Sequence, residues 1–265
     1  MAVNDTGTAV VTGASTGLGA VYARRLAARG YDLLLVARNG RRLDDLATEI
    51  TSAHADRKVE VLVADLTDAA GLGTLEQRLA SDASIEILVI NAGGSLFGPL
   101  DGADPAALEN LVTLNVTSLT RLTAAVVGPL AARGHGAVVN VASALALNIM
   151  PVSATYSATK AYVLAFTQGL AQELADSGVQ VQAVLPGAVR TEFWDGSGID
   201  LSAFPDEWVM SADDAVDAAL SGFDQCEPVS ILSLPDAGEW ESYDAARRAL
   251  VPSLSRAVPA ERYTA

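Results

Sequence analysis

Short runs rich in valine, isoleucine and leucine recur along the chain, at residues 8–12, 32–37, 58–64, 85–90, 137–142, 179–185 and 228–234. Most are apolar nearly throughout instead of alternating, the pattern of strands covered on both faces. Between them lie stretches of helical length with apolar positions three and four residues apart. This alternation predicts an α/β fold, a single doubly wound parallel sheet of about seven strands with helices on both faces.

Local signals agree. Asp104-Pro105 sets an N-cap acceptor before a proline at the first helical position, opening a long helix that runs to Arg133. Ser211 and Asp214 have capping-box spacing, and Gly30 and Gly178 fall where helices end before strands. No internal repeat or low-complexity tract divides the chain, so residues 1–265 read as one domain. The rhythm breaks at 191–210, where Phe193, Trp194, Phe204 and Trp208 stand among Gly, Ser and Pro. A long irregular stretch with four aromatic residues reads as a lid over a pocket, the alternative being a passive surface loop. Residues 250–265, with two prolines, read as a C-terminal tail.

Composition narrows the function. Half of the 265 residues are apolar, enough for a large core, and the formal net charge of -15 disfavours nucleic acid and anionic membranes as partners. The N-terminus shows no signal-peptide pattern and no unbroken apolar run suits a bilayer, so a cytoplasmic location is expected. Cys226 is the only cysteine and His54 and His135 are scattered, so these residues read as structural and no metal site is expected.

Two clusters carry chemistry. Thr12-Gly13-Ala14-Ser15-Thr16-Gly17-Leu18-Gly19 follows the first strand and opens a helix. Glycines there let the backbone approach a pyrophosphate, and the helix N-terminus supplies N–H groups and a positive dipole end. The placement marks a Rossmann-type dinucleotide site. At the end of the second strand, where an acid would bond the ribose hydroxyls of NAD, the chain has Ala37-Arg38-Asn39. A guanidinium suits a 2′-phosphate, so NADP(H) is expected in preference to NAD(H), unless Arg38 merely caps the strand in solvent. The second cluster is Tyr156 and Lys160, one helical turn apart on one face, with Ser143 directly after the strand at 137–142. A phenol beside an ammonium group is drawn down from its ordinary pKa of about 10 toward the working range of a general acid/base.

With these motifs in this order the sequence resembles the short-chain dehydrogenase/reductase family, strongly over about the first 195 residues. The resemblance implies that Asp65-Leu66 holds the adenine and that Asn91-Ala92-Gly93 supports the cofactor cleft. It also implies that Asn115 positions a relay water and that Pro186, Gly187, Val189 and Thr191 meet the nicotinamide. Ser143, Tyr156 and Lys160 match the family's catalytic serine and its YxxxK pair: serine polarises a carbonyl, tyrosine gives the proton, and lysine holds the ribose. The family pairs through its long helices, so a homodimer or homotetramer is expected.

The pocket walls are expected from Gly94, Ser95 and on to Phe97, from Leu145 and Met150 in the stretch 144–152, and from Phe193, Trp194, Phe204, Trp208 and Met210. They are mostly apolar, which points to a hydrophobic ketone or aldehyde. Arg190 suits either an anionic substrate group or a structural ion pair. A 3-oxoacyl-thioester reductase is the second reading, set back by the acidic chain, since acyl carriers and coenzyme A are anionic. A non-catalytic NADP-binding regulator is the third, set back because the tyrosine and lysine are both present.

Overall fold

The structure is a computed structural model that describes residues 6–264; residues 1–5 and 265, inside the bounds expected for the domain and tail, lie outside the described residues. Seven parallel strands form one sheet: β1 (Thr8–Thr12), β2 (Asp32–Ala37), β3 (Val59–Val63), β4 (Ile85–Ile90), β5 (Ala137–Val141), β6 (Gln180–Leu185) and β9 (Val229–Ile231). Their spatial order is β3-β2-β1-β4-β5-β6-β9, and every pairing among them is parallel. The order reverses direction at β1, beside β4, and a doubly wound sheet binds its ligand at such a switch point. Helices α1 (Gly17–Ala28), α2 (Gly40–Ala53), α3 (Ala69–Ser81), α4 (Pro105–Val112), α5 (Leu119–Arg133), α6 (Ala154–Glu173) and α7 (Ala212–Asp224) connect the strands. The expected doubly wound sheet is thus present, with β1, β2 and β4 at the expected bounds and β3, β5, β6 and β9 shorter, most of all β9.

The central strands β1, β4 and β5 are buried almost completely, as their unbroken apolar runs require. β3 alternates at the sheet edge and leaves Val63 in solvent. Caps fix the helix starts. The Asp104 carboxylate accepts from the Ala106 N–H at 3.0 Å, with Pro105 at the first helical position, and the Ser211 hydroxyl accepts from the Asp214 N–H at 3.0 Å.

The stretch 105–133 departs from one regular helix: six residues, Thr113–Ser118, take π-helical pairing between α4 and α5. By length and composition Pro105–Arg133 would suffice to cross a membrane. Its buried residues Leu119, Leu122, Val126 and Leu130 lie on α5, which packs against α3 and the sheet.

Two strands were not expected from the pattern. β7 (Ala188–Arg190) and β8 (Val209–Ser211) pair in parallel and bracket the irregular segment 191–208, which folds as three short 3₁₀ turns. The chain divides into two compact units, Met1–Leu232 and Ser233–Ala265. The second, where the sequence pattern shows no boundary, holds α8 (Ala237–Arg248) and 3₁₀ turns at Val251–Ser253 and Glu261–Tyr263. Within it the Trp240 and Tyr243 rings stack and Asp244 pairs with Arg247 and Arg248.

Candidate active site

A cleft of about 640 Å³ runs along the carboxyl edge of the sheet. At one end lies the glycine loop. Gly13 and Gly17 have positive φ, 65° and 53°, which a side chain would strain. A Cβ on Gly19 would collide with the Gly13 carbonyl oxygen, so this glycine lets α1 pack against the loop while lying behind the cleft lining. Thr16 caps α1 without a side-chain hydrogen bond and the first turn holds no acid, whereas α2, α3, α4 and α7 all carry a capping side chain. The N–H groups opening α1 therefore lack a side-chain cap where the loop meets the cleft, a cradle that fits a pyrophosphate.

The loop is stapled to β4. The Thr12 hydroxyl accepts from the Asn91 and Ala92 N–H groups at 3.1 and 3.0 Å, and the Asn91 side-chain amide donates to the Thr12 and Gly13 carbonyls. Asn91 therefore shapes the loop through its side chain while Ala92 and Gly93 line the cleft. The wall beside β2 and β3 carries Arg38, Asn39, Asp65 and Leu66. Arg38 is exposed and stands 4.0 Å from Asp65, whose carboxylate is turned to Thr67, accepting from its hydroxyl and N–H at 2.7 and 2.9 Å. Those bonds hold the Asp65 carboxyl below its usual range. The Asn39 side chain caps α2.

The sequence reading missed Arg42, whose guanidinium enters the same wall from the first turn of α2, 4.0 Å from Glu192 across the mouth. Its signal was its place four residues after Arg38, one helical turn into the cleft's edge. Thr12 was read as the opening residue of the glycine loop, but its role as the staple to Asn91 and Ala92 was missed.

At the other end Ser143, Tyr156 and Lys160 converge, all buried, Tyr156 4% and Lys160 5% exposed. Ser143 lies two residues past β5, capping a 3₁₀ turn at Ala144–Ala146, and its hydroxyl accepts from the Leu145 N–H at 3.1 Å. The Lys160 ammonium donates to the Val141 carbonyl at 2.9 Å and stands 5.8 Å from the centre of the Tyr156 ring. Burial pushes the Tyr156 phenol up to about 12, with an opposing pull from the Ser143 hydroxyl. Burial alone pushes Lys160 down to about 8. The net shift of the phenol is therefore upward, where the neighbouring lysine led us to expect a downward one, because desolvation of the enclosed ring dominates.

Asn115 sits in the π-helical stretch and is buried, outside the cleft lining. Its side chain accepts from the Gly94 N–H at 2.9 Å and donates to the Gly94 carbonyl and the Thr159 hydroxyl, both at 3.0 Å. These bonds make its side chain a clamp on Gly94, beyond the end of β4, and leave one lone pair of its oxygen. A Cβ on Gly93 would lie 3.3 Å from Asn115 Oδ1 and 3.4 Å from Lys160 Nζ, so a side chain there would press on Asn115 by a few tenths of an ångström.

Aromatic rings enclose Tyr156. Phe97 meets it edge-on at 5.2 Å and Phe193 at 5.9 Å; Trp194 stacks on Phe97 at 6.1 Å, and Phe204 meets Trp194 at 5.3 Å. The Trp194 indole N–H donates to the Val189 carbonyl at 2.8 Å, fixing the ring. Gly94, Ser95, Leu145, Met150, Pro186, Gly187, Val189 and Thr191 complete this end. Two expected pocket residues lie elsewhere. Trp208 is 67% exposed on the turn before β8, and Met210 is held in β8 opposite Val189; neither lines the cleft, since the strand pairing carries them past it. Arg190 pairs with Asp206 at 3.3 Å, the structural alternative. Among the described residues no group of three or more His, Cys, Asp or Glu is placed to hold a metal.

A glycine-loop cradle and a buried Ser-Tyr-Lys group on one sheet edge agree with the sequence comparisons. A family model described as short chain dehydrogenase matches residues 7–200, and the chain belongs to this family of oxidoreductases, which act on CH–OH and carbonyl groups. It is similar to very-long-chain 3-oxoacyl-CoA reductase-A of Danio rerio, 36% identical over 190 residues, 69% of this chain and 58% of that protein. The chain thus spans about three-fifths of that relative's length. Among solved structures it is similar to a short-chain dehydrogenase of Sphingobium yanoikuyae in complex with NADPH, 46% identical with TM-score 0.93, over 97% of this chain and 100% of that one. A bulky-bulky ketone specific alcohol dehydrogenase of Comamonas testosteroni is 41% identical with TM-score 0.89, over 97% and 98% of the two chains.

Proposed function

We propose that the protein is an NADP(H)-dependent oxidoreductase that interconverts a bulky hydrophobic ketone and its secondary alcohol. The observation that carries this is the aromatic enclosure of Tyr156, which surrounds the proton donor with Phe97, Phe193 and Trp194. Such walls bind apolar groups on a carbonyl through burial and ring contacts and offer little to a polyol. The likeness to the Sphingobium and Comamonas proteins supports the same reading.

Bound NADPH supplies the hydride. In reduction, the Ser143 hydroxyl donates to the substrate carbonyl oxygen, and Tyr156, neutral because it is buried, passes its proton to the alkoxide as it forms. Lys160, held by the Val141 carbonyl, sets the electrostatics beneath the phenol and offers its remaining N–H groups to the ribose. Asn115 positions Gly94 and, through Thr159, the first turns of α6. Arg38 and Arg42 both line the cleft wall beside β2 and β3, and two cations there support a preference for NADP(H) over NAD(H). We propose that the protein is a homo-oligomer, on the family likeness, and cytoplasmic, on the sequence pattern alone.

A 3-oxoacyl-thioester reductase is the second reading, favoured by the likeness to the Danio reductase. The test is an NADPH-oxidation assay over diaryl and alkyl-aryl ketones, aldehydes, sugars and 3-oxoacyl-CoA esters. The proposal expects the highest kcat/KM with a bulky ketone, and a rank order led by a thioester would replace it. Arg38→Ala is expected to raise KM for NADPH by about 10- to 100-fold, from loss of a charge-assisted contact, and to leave KM for NADH nearly unchanged.

A further inference from the structure

We infer that Glu192 competes with the 2′-phosphate of the cofactor for the Arg42 guanidinium, and so sets how tightly NADP(H) is held and how quickly it leaves. The inference rests on the NADP(H) reading above and adds a residue that the reading does not use. Thr191 follows β7 and stands over the glycine loop, where a Cβ on Gly17 would lie 3.1 Å from the Thr191 side chain. Glu192, the next residue, lines the cleft and opens the 3₁₀ turn that carries Phe193 and Trp194. Arg42 faces it from the first turn of α2: its Nη1 is 4.0 Å from Glu192 Oε1, and both side chains are half-exposed. Arg42 shares its wall with Ala37 and Arg38 at the end of β2, where a doubly wound sheet receives the adenosine ribose.

Two observations single out this pair. Arg24, Arg29 and Arg121 each close on an acid through two hydrogen bonds, all between 2.6 and 2.9 Å. Arg42 makes no side-chain hydrogen bond among the described residues and meets Glu192 only at ion-pair range, so its N–H donors are open to a phosphate. Glu192 is equally uncommitted. Of the three acids lining the cleft, Asp65 has its carboxylate bound by Thr67, and Asp195 forms no ion pair among the described residues. Glu192 is the one that combines a carboxylate free of hydrogen bonds with a cation of the nucleotide wall. A 2′-phosphate carries nearly two negative charges at neutral pH, against one on Glu192, and accepts a bidentate grip. It displaces the carboxylate from Arg42 at the cost of the ion pair and of repulsion between the two anions. NADH has no such group and leaves the pair intact. An acid so placed weakens NADP(H) selectively and keeps it exchangeable, which matters because product release limits turnover in many enzymes.

The test is calorimetry of NADPH and NADH on the full-length protein, as wild type, Glu192→Gln, Arg42→Gln and the double variant. Stopped-flow fluorescence follows NADPH release into excess NADP+. Glu192→Gln is expected to tighten NADPH by about three- to five-fold, mainly through slower release, the scale of an exposed ion pair. It should move NADH by less than about 1.5-fold, since no group of NADH competes for Arg42. In the Arg42→Gln background the Glu192 substitution should add nothing for NADPH. An equal gain for both cofactors would mean that Glu192 only repels the pyrophosphate, and would overturn the inference. So would the absence of a gain for NADPH, or the same gain without Arg42. A wild type that binds NADPH no tighter than NADH would instead bring down the NADP(H) reading itself, and this inference with it.

Discussion

Desolvation and hydrogen bonding compete at Tyr156, and burial prevails, leaving a phenol near 12 that keeps its proton across the physiological range. That suits a proton donor. Lys160 feels the same burial with the opposite consequence, since the charged form is its protonated one, and it falls to about 8. Reduction that depends on the Lys160 cation should therefore weaken as pH rises through about 8. We expect kcat/KM for NADPH, which reports the free enzyme, to decline above that point, and Lys160→Met to flatten the decline at a lower overall rate. The same shift bears on stability. The unfolded lysine holds its proton to about 10.5, so the buried cation costs stability below pH 8, and the cost is relieved as pH rises from 8 toward 10.5. The thermal stability of wild type relative to Lys160→Met should rise across that window; an unchanged difference would mean that the ammonium group is not desolvated.

Elements decide which residues reach the site. The seven-strand sheet was legible because fully covered strands write themselves as unbroken apolar runs, and the glycine loop because its turn demands glycine at Gly13 and Gly17. The π-helical turn around Asn115 was not legible. Its pairing depends on a tertiary clamp onto Gly94, and the sequence of 113–118 has no breaker to announce it. Strands of three residues, as at β7 and β8, are too short for a period to show, and their pairing is what carries Trp208 and Met210 past the cleft. The segment 191–208 thus contributes through Phe193, Trp194 and Phe204, not through every aromatic it contains. Trp194→Ala is expected to lower kcat/KM for a bulky ketone by about ten-fold or more, from lost ring contact and burial. Trp208→Ala should stay within about two-fold, since its ring lies in solvent. Equal losses in steady-state kinetics would refute this division of the lid.

Across the whole molecule, a formal charge of -15 surrounds a cleft whose nucleotide end carries Arg38 and Arg42. Such a field focuses an anionic cofactor locally and repels anionic substrates elsewhere. Raising salt should therefore increase kcat/KM for an oxoacyl-CoA ester and leave that of an uncharged ketone nearly unchanged; measured between low and physiological ionic strength, the opposite trend would favour a thioester substrate. Composition gave this long-range argument directly, while the local cation pair emerged only when α2 brought Arg42 beside Arg38. The central claim, that Tyr156 gives the proton, is tested most directly by single-turnover reduction of a bulky ketone by Tyr156→Phe with NADPH already bound. The account predicts near-normal NADPH affinity and a chemical step slowed by about a thousand-fold, within the range a positioned general acid contributes. A variant that retained most of the wild-type rate would contradict it.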